Sequence, residues 1–125
     1  HQPACKRHYG GADTYDRVRA SVGKAEHAQP MTEVTLYCGD SCSVRCKGHA
    51  TGHPDVCAAV SCLLYTAAGW LHNTQEAELV MERLDSGDAY LRWHGGVWLY
   101  DLLKIGFLQL ERAKPEAVSV KIEKK

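Results

Sequence analysis
One short stretch holds residue types that can do covalent chemistry. Gly48-His49-Ala50 leaves a strand-like segment, Thr51-Gly52-His53-Pro54-Asp55 makes a polar turn, and Val56-Cys57-Ala58-Ala59-Val60-Ser61 opens an apolar helix. A helix N-terminus carries roughly half a positive charge, and that field favours a thiolate. A neighbouring imidazole can take the thiol proton and later return it to a leaving group. Cys57 is therefore the candidate nucleophile and His49 the candidate base. His53 is a rival base, closer in sequence and set in the turn itself. Ser61 follows Cys57 by one helical turn, so the two share a face and Ser61 can reach substrate or imidazole. The competing structural account is plain: a buried helical cysteine, two solvated loop histidines and a serine that eases packing. Cys62 serves as an internal control. It falls mid-helix, in apolar surroundings, and should be inert.

A metal site is the second chemistry to weigh. Cys38, Cys42, Cys46, His49, His53 and Cys57 crowd together in the sequence. Their spacing is Cys-x3-Cys-x3-Cys, not the paired Cys-x2-Cys knuckles of structural zinc. On one strand, Cys42 and Cys46 would stand about 13 Å apart, too far to share an ion. The chain also has no G-x-G-x-x-G, no P-loop and no H-E-x-x-H. The reading therefore calls for no metal and no cofactor.

The frame around these residues is legible from Met31 onward. Val34, Leu36 and Cys38 alternate with Glu33, Thr35 and Tyr37, a period of two that predicts a strand. Gly39-Asp40 predicts a hairpin turn, and Cys42, Val44 and Cys46 mark a second strand with one wet face. Asp55–Leu71 predicts a helix, apolar nearly all round and so buried on more than one side. Asn73–Glu76 reads as a loop. Leu79–Leu84 and Ala89–Trp93 flank Asp85-Ser86-Gly87-Asp88, a strong hairpin signal. Leu99, Leu102, Leu103, Gly106 and Leu110 mark a second amphipathic helix, which Pro115 stops. Val118, Val120 and Ile122 make a last strand. The order β-β-α-β-β-α-β predicts an α+β fold, a two-layer α/β sandwich with a mostly antiparallel sheet. Trp70, Trp93 and Trp98 read as core or interface anchors.

Composition bounds the function. The 125 residues suffice for one domain and one core. Lys+Arg and Asp+Glu are both 15, so global charge points to no direct nucleic-acid partner. No apolar run, even Val56–Leu71, approaches bilayer-spanning length, so no membrane partner is expected. Six cysteines suggest a disulfide scaffold, but 45% hydrophobic residues build a core without staples. The expectation is a reducing, cytoplasmic protein whose thiols are mostly small buried hydrophobes. Residues 1–30 are polar and lack the apolar central region of a signal peptide. They are read as a loose N-terminal tail, upstream of the domain's own start at Met31, with 31–125 as the domain. An apolar helix with only one sheet beneath it also predicts a homodimer.

These residues also carry a resemblance. Gly48-His49-Ala50, then Val56-Cys57-Ala58-Ala59-Val60-Ser61, then the apolar helix to Gly69-Trp70-Leu71, resemble the ribosomal-processing cysteine protease family (Prp). Gly106-Phe107-Leu108-Gln109-Leu110 and Pro115-Glu116-Ala117-Val118-Ser119-Val120 are similar to that family's last helix and strand. The resemblance spans about Thr32–Ile122 in order. It implies a homodimer formed through the helices. It also implies a cysteine endopeptidase that removes the N-terminal extension of a large-subunit ribosomal protein at a short apolar, aromatic-containing segment. Related phage proteins would act on prohead proteins. Carried over by motif, His49 is the base, Cys57 the nucleophile and Ser61 a substrate-contacting residue. Gly48 allows close approach beside His49, and His53 stands in the loop that covers the site. The loop from histidine to cysteine is several residues shorter than in the family. It also has Pro54-Asp55-Val56 where Asp-Ile-Val is common.

Two other functions fit the same residues. A non-catalytic dimeric module could bind such a peptide without needing the thiol, and a thiol-rich zinc domain would need several. Asp55 reads as a helix cap with no catalytic role, because an anion there opposes the thiolate.

Overall fold
The computed structural model describes residues 31–124, and the expectation for residues 1–30 lies outside the described residues. The elements are β1 Thr32–Cys38, β2 Cys42–Lys47, α1 Pro54–Asn73, β3 Ala77–Asp85, β4 Asp88–Gly95, α2 Val97–Ala113 and β5 Val118–Lys124. One five-stranded sheet has the order β3-β4-β2-β1-β5. β1 pairs parallel with β5, and every other neighbouring pair is antiparallel. Both helices pack on one face. The architecture is thus the α+β two-layer sandwich that the alternation predicted.

The core follows from the strand period. Val34 and Leu36 on β1, Val44 on β2, and Leu91 and Trp93 on β4 are all buried toward the helices. They meet Val60 and Leu64 from α1 and Leu103 and Phe107 from α2. β3 departs from simple alternation. A bulge between Leu79 and Met81 shifts its register against β4, and Val80 and Met81 end up exposed. A bulge leaves a residue unpaired and re-aims its neighbours, which a period-two reading does not anticipate.

The two helices revise two expectations. By length and composition alone the 20-residue α1 is apolar enough to cross a membrane, with a mean hydropathy of 1.3 over an 18-residue window. The expectation that no run approached that length is therefore corrected. Here α1 lies on the sheet as a core helix, burying Val56, Val60, Leu64, Ala67, Ala68 and Leu71. Its second partner is α2. Leu63 lies against Gly106, and the Trp70 and Trp98 rings meet edge-on with centroids 4.5 Å apart. None of the large exposed apolar side chains belongs to α1. Val97, Trp98, Leu102, Ile105 and Leu108, all on α2, are exposed. The sequence placed the uncovered apolar face on the first helix, but it lies on the second.

Candidate active site
The site forms where β2 ends and α1 begins. Gly48 leaves the sheet with φ +88, and a Cβ there would lie 2.5 Å from the Met31 carbonyl oxygen. Only glycine meets both conditions without strain. Gly48 thus also makes room for the start of β1, a contact that the sequence did not signal. The Gly48 N–H donates to the Gly87 carbonyl at 2.9 Å, tying the strand end to the β3–β4 hairpin. The chain then closes through short turns. Thr51 N–H donates to the His49 carbonyl and His53 N–H to the Ala50 carbonyl, both at 2.9 Å. This compact path lets a short loop carry the chain from strand to helix.

His49 and His53 separate clearly here. The His49 ring lies against Gly87, and a Cβ on Gly87 would meet His49 Nε2 at 2.5 Å. Gly87 adopts φ +76 at the hairpin tip, so a turn glycine also leaves the space the imidazole occupies. The sequence marked Gly87 as a turn residue and missed this second role. His53 is the N-cap of α1 and makes no side-chain capping bond. Its carbonyl accepts the Val56 and Cys57 N–H groups at 3.1 and 3.2 Å. His53 thus acts through its backbone, as the hinge of the helix start.

Cys57 stands in the first full turn of α1, as the apolar pattern predicted, and is 1% exposed. Pro54 occupies the start of that turn, where its missing N–H costs nothing. Asp55 does not cap the helix. It lies inside the first turn, where its Oδ1 accepts the Val56 N–H at 2.9 Å and its Oδ2 pairs with Lys114 at 3.7 Å. Ser61 is buried one turn beyond Cys57. It lines a narrow cleft with Gly48, Tyr65, Leu84, Asp85 and Gly87. The cleft holds about 20 Å³, room for one water and for no peptide side chain. Tyr65, one turn after Ser61, was not singled out from sequence. Burial, and then the Glu82 charge, raises its phenol above the usual range, so it serves as a neutral hydroxyl.

The other thiols differ from expectation in one case. Cys42 and Cys46 are buried, as the strand pattern required. Burial and the adjoining Cys38 push the Cys42 thiol up to about 11. Cys62, expected to be buried and inert, is exposed. It faces away from the sheet with Asp55, Thr66 and Gly69, because α2 covers the neighbouring flank of α1 instead. Among the described residues no group of three or more His, Cys, Asp or Glu side chains is placed to hold a metal ion. A larger hollow of about 450 Å³ lies on the helix-free face of the sheet, lined by polar groups such as Ser43, Arg45 and Arg92. It contains none of the residues identified from sequence.

No protein-family model and no curated protein matches the sequence. Among solved structures, the chain is similar to the crystal structure of SMU.848 from Streptococcus mutans, with a TM-score of 0.60 and 23% identity. The match covers 76% of this chain and 96% of that one. Likeness at that identity establishes a shared fold and nothing further.

Proposed function
We propose that this protein is a cysteine endopeptidase of the ribosomal-processing type. In this reading Cys57 is the nucleophile and His49 the general base. One observation carries it: a thiol in the first turn of α1, fed by a strand end whose imidazole is seated on the Gly87 tip. A helix start stabilises a thiolate, and an imidazole supplies the proton route. His49 takes the Cys57 proton and the sulfur attacks the scissile carbonyl carbon. The tetrahedral intermediate expels the amine, which leaves with the proton from His49. Water, activated by His49, then hydrolyses the thioester. Ser61 and Gly48 line the nearby cleft and would contact substrate, and His53 opens the helix that carries Cys57. No third catalytic residue and no cofactor is required.

The thiol is buried and the cleft is narrow, so substrate enters only when the turn from Gly48 to His53 lifts. The substrate class is an N-terminal extension of a large-subunit ribosomal protein, or a phage prohead protein, carrying a short apolar, aromatic-containing segment. The enzyme acts in the cytoplasm as a homodimer. Trp98, Leu102 and Ile105, exposed along one side of α2, supply the apolar dimer surface. Ile105→Glu should shift the protein to monomer in sedimentation at micromolar concentration. A parent already monomeric there would remove the dimer from the account.

The burial of Cys57 favours one second reading, a dimeric peptide-binding module that never exposes the thiol. The test is a panel of Cys57→Ala, His49→Ala, His53→Ala and Cys62→Ala, assayed on a peptide spanning an aromatic-rich ribosomal-protein extension. Cleavage should depend on Cys57 and His49, depend less on His53, and survive loss of Cys62. Binding without cleavage in every protein, parent included, would favour the module.

A further inference from the structure
A pair of thiols lies at the opposite end of β2 from Cys57. Cys38 ends β1 and Cys42 begins β2, and the two are register partners across the hairpin. They lie on the same face of the sheet, joined by the tight turn Gly39-Asp40-Ser41, whose Gly39 N–H donates to the Ser41 carbonyl at 3.0 Å. Directly opposed strand residues hold their Cβ atoms about 5 Å apart, close to the span of a disulfide. The two thiols are close enough for Cys38 to help push the Cys42 thiol up. Both are present as thiols, Cys38 half-buried and Cys42 buried. Above them, α2 contributes Tyr100, whose buried hydroxyl has no hydrogen-bond partner, and the Asp101 carboxylate.

We propose that Cys38 and Cys42 form a dithiol site, oxidised to an intramolecular disulfide by small-molecule disulfides of the glutathione type. Cys38, the more accessible thiol, attacks one sulfur of the small disulfide as its thiolate. The small S–S bond breaks, one small thiol leaves, and a mixed disulfide forms on Cys38. Cys42 then gives up its proton and attacks Cys38 Sγ, and the second small thiol leaves. The two cysteines lose two electrons and two protons, and the small disulfide gains both as two thiols. Capping Cys38 also sets up the second step. The Cys38 charge is one of the influences that keep Cys42 protonated, and it disappears once Cys38 is in a mixed disulfide. Burial of Cys42 remains, so closure is the slower step.

The test uses the full chain treated with oxidised glutathione and digested without reduction. Trypsin releases Ala25–Arg45, which holds both cysteines and no internal Lys or Arg. That peptide should be lighter by two hydrogens. Its halves should stay joined after cleavage before Asp40. A transient glutathione adduct on Cys38 should precede it, and Cys57→Ala should behave as the parent does, which separates this site from the proposed nucleophile. In Cys42→Ser the adduct on Cys38 should persist. A parent that stays reduced at both positions, retains the adduct without closing, or links Cys38 or Cys42 to another cysteine would overturn the proposal.

Discussion
The two ends of β2 lead to two buried thiols whose neighbours differ. At one end the strand runs through Gly48 and His49 into the first turn of α1, where Cys57 meets a positive helix terminus. At the other end burial, then the adjoining Cys38 thiol and last the Asp101 carboxylate push the Cys42 thiol up to about 11. Burial is common to both thiols, but one stands at a helix start and the other beside a second thiol on a strand. The neighbours differ with the element: a helix start at Cys57, and a hairpin partner thiol at Cys42.

Four substitutions sharpen that contrast. The largest effect belongs to Cys57→Ala. Peptide cleavage should fall to background, a loss on the order of a thousandfold or more, with the melting temperature little changed. Cys62→Ala, on the exposed side of the same helix, should cleave normally. His49→Ala comes next, with a loss in kcat/KM on the order of a hundredfold, the usual worth of a general base. Gly87→Ala should act through His49. A Cβ there overlaps the ring and the backbone is at positive φ. Cleavage should drop about tenfold in kcat, and stability in urea should fall by about 1 kcal/mol. A Gly87→Ala enzyme with full kcat would show that the ring's seat on the hairpin is incidental.

The smallest effect tests the other end of the strand. The folded-state Cys42 thiol is raised from 9.0 to about 11, so the unfolded chain loses that proton first. As pH rises from 9.0 toward about 11, the folded state should therefore lose stability on this account, and below that window the group contributes nothing. Cys42→Ala should flatten the decline in that window by on the order of 2 kcal/mol, read as urea midpoints across pH. An unchanged slope would remove the burial-raised thiol from the comparison.

How far the sequence reached is visible in particular residues. Strand alternation placed Val34, Leu36 and Val44 correctly, because a half-buried sheet enforces a period of two. The apolar run found α1, and the Ser86-Gly87 signal found its hairpin. Three features were hidden because they depend on tertiary neighbours. The bulge at Leu79/Met81 leaves no local signature. The exposure of Cys62 depends on which flank α2 covers. The contact between His49 and Gly87 joins residues far apart in sequence, and no spacing rule links them. The positions of Cys57 in the first helical turn and of His49 just beyond β2 were legible because helix start and strand end are local features. The narrowness of the cleft was not, because it depends on how Ser61, Tyr65 and Leu84 meet across elements.

The central claim is that Cys57 carries the acyl group. A substrate peptide with an aromatic-rich ribosomal-protein extension, mixed with the Cys62→Ala protein and quenched in acid within one turnover, should leave an acyl adduct. Peptide mapping should place that thioester on Cys57, at near one equivalent, and His49→Ala should slow its appearance. Cleavage without any adduct on Cys57, or an adduct on Cys38, Cys42 or Cys46 instead, would contradict the account.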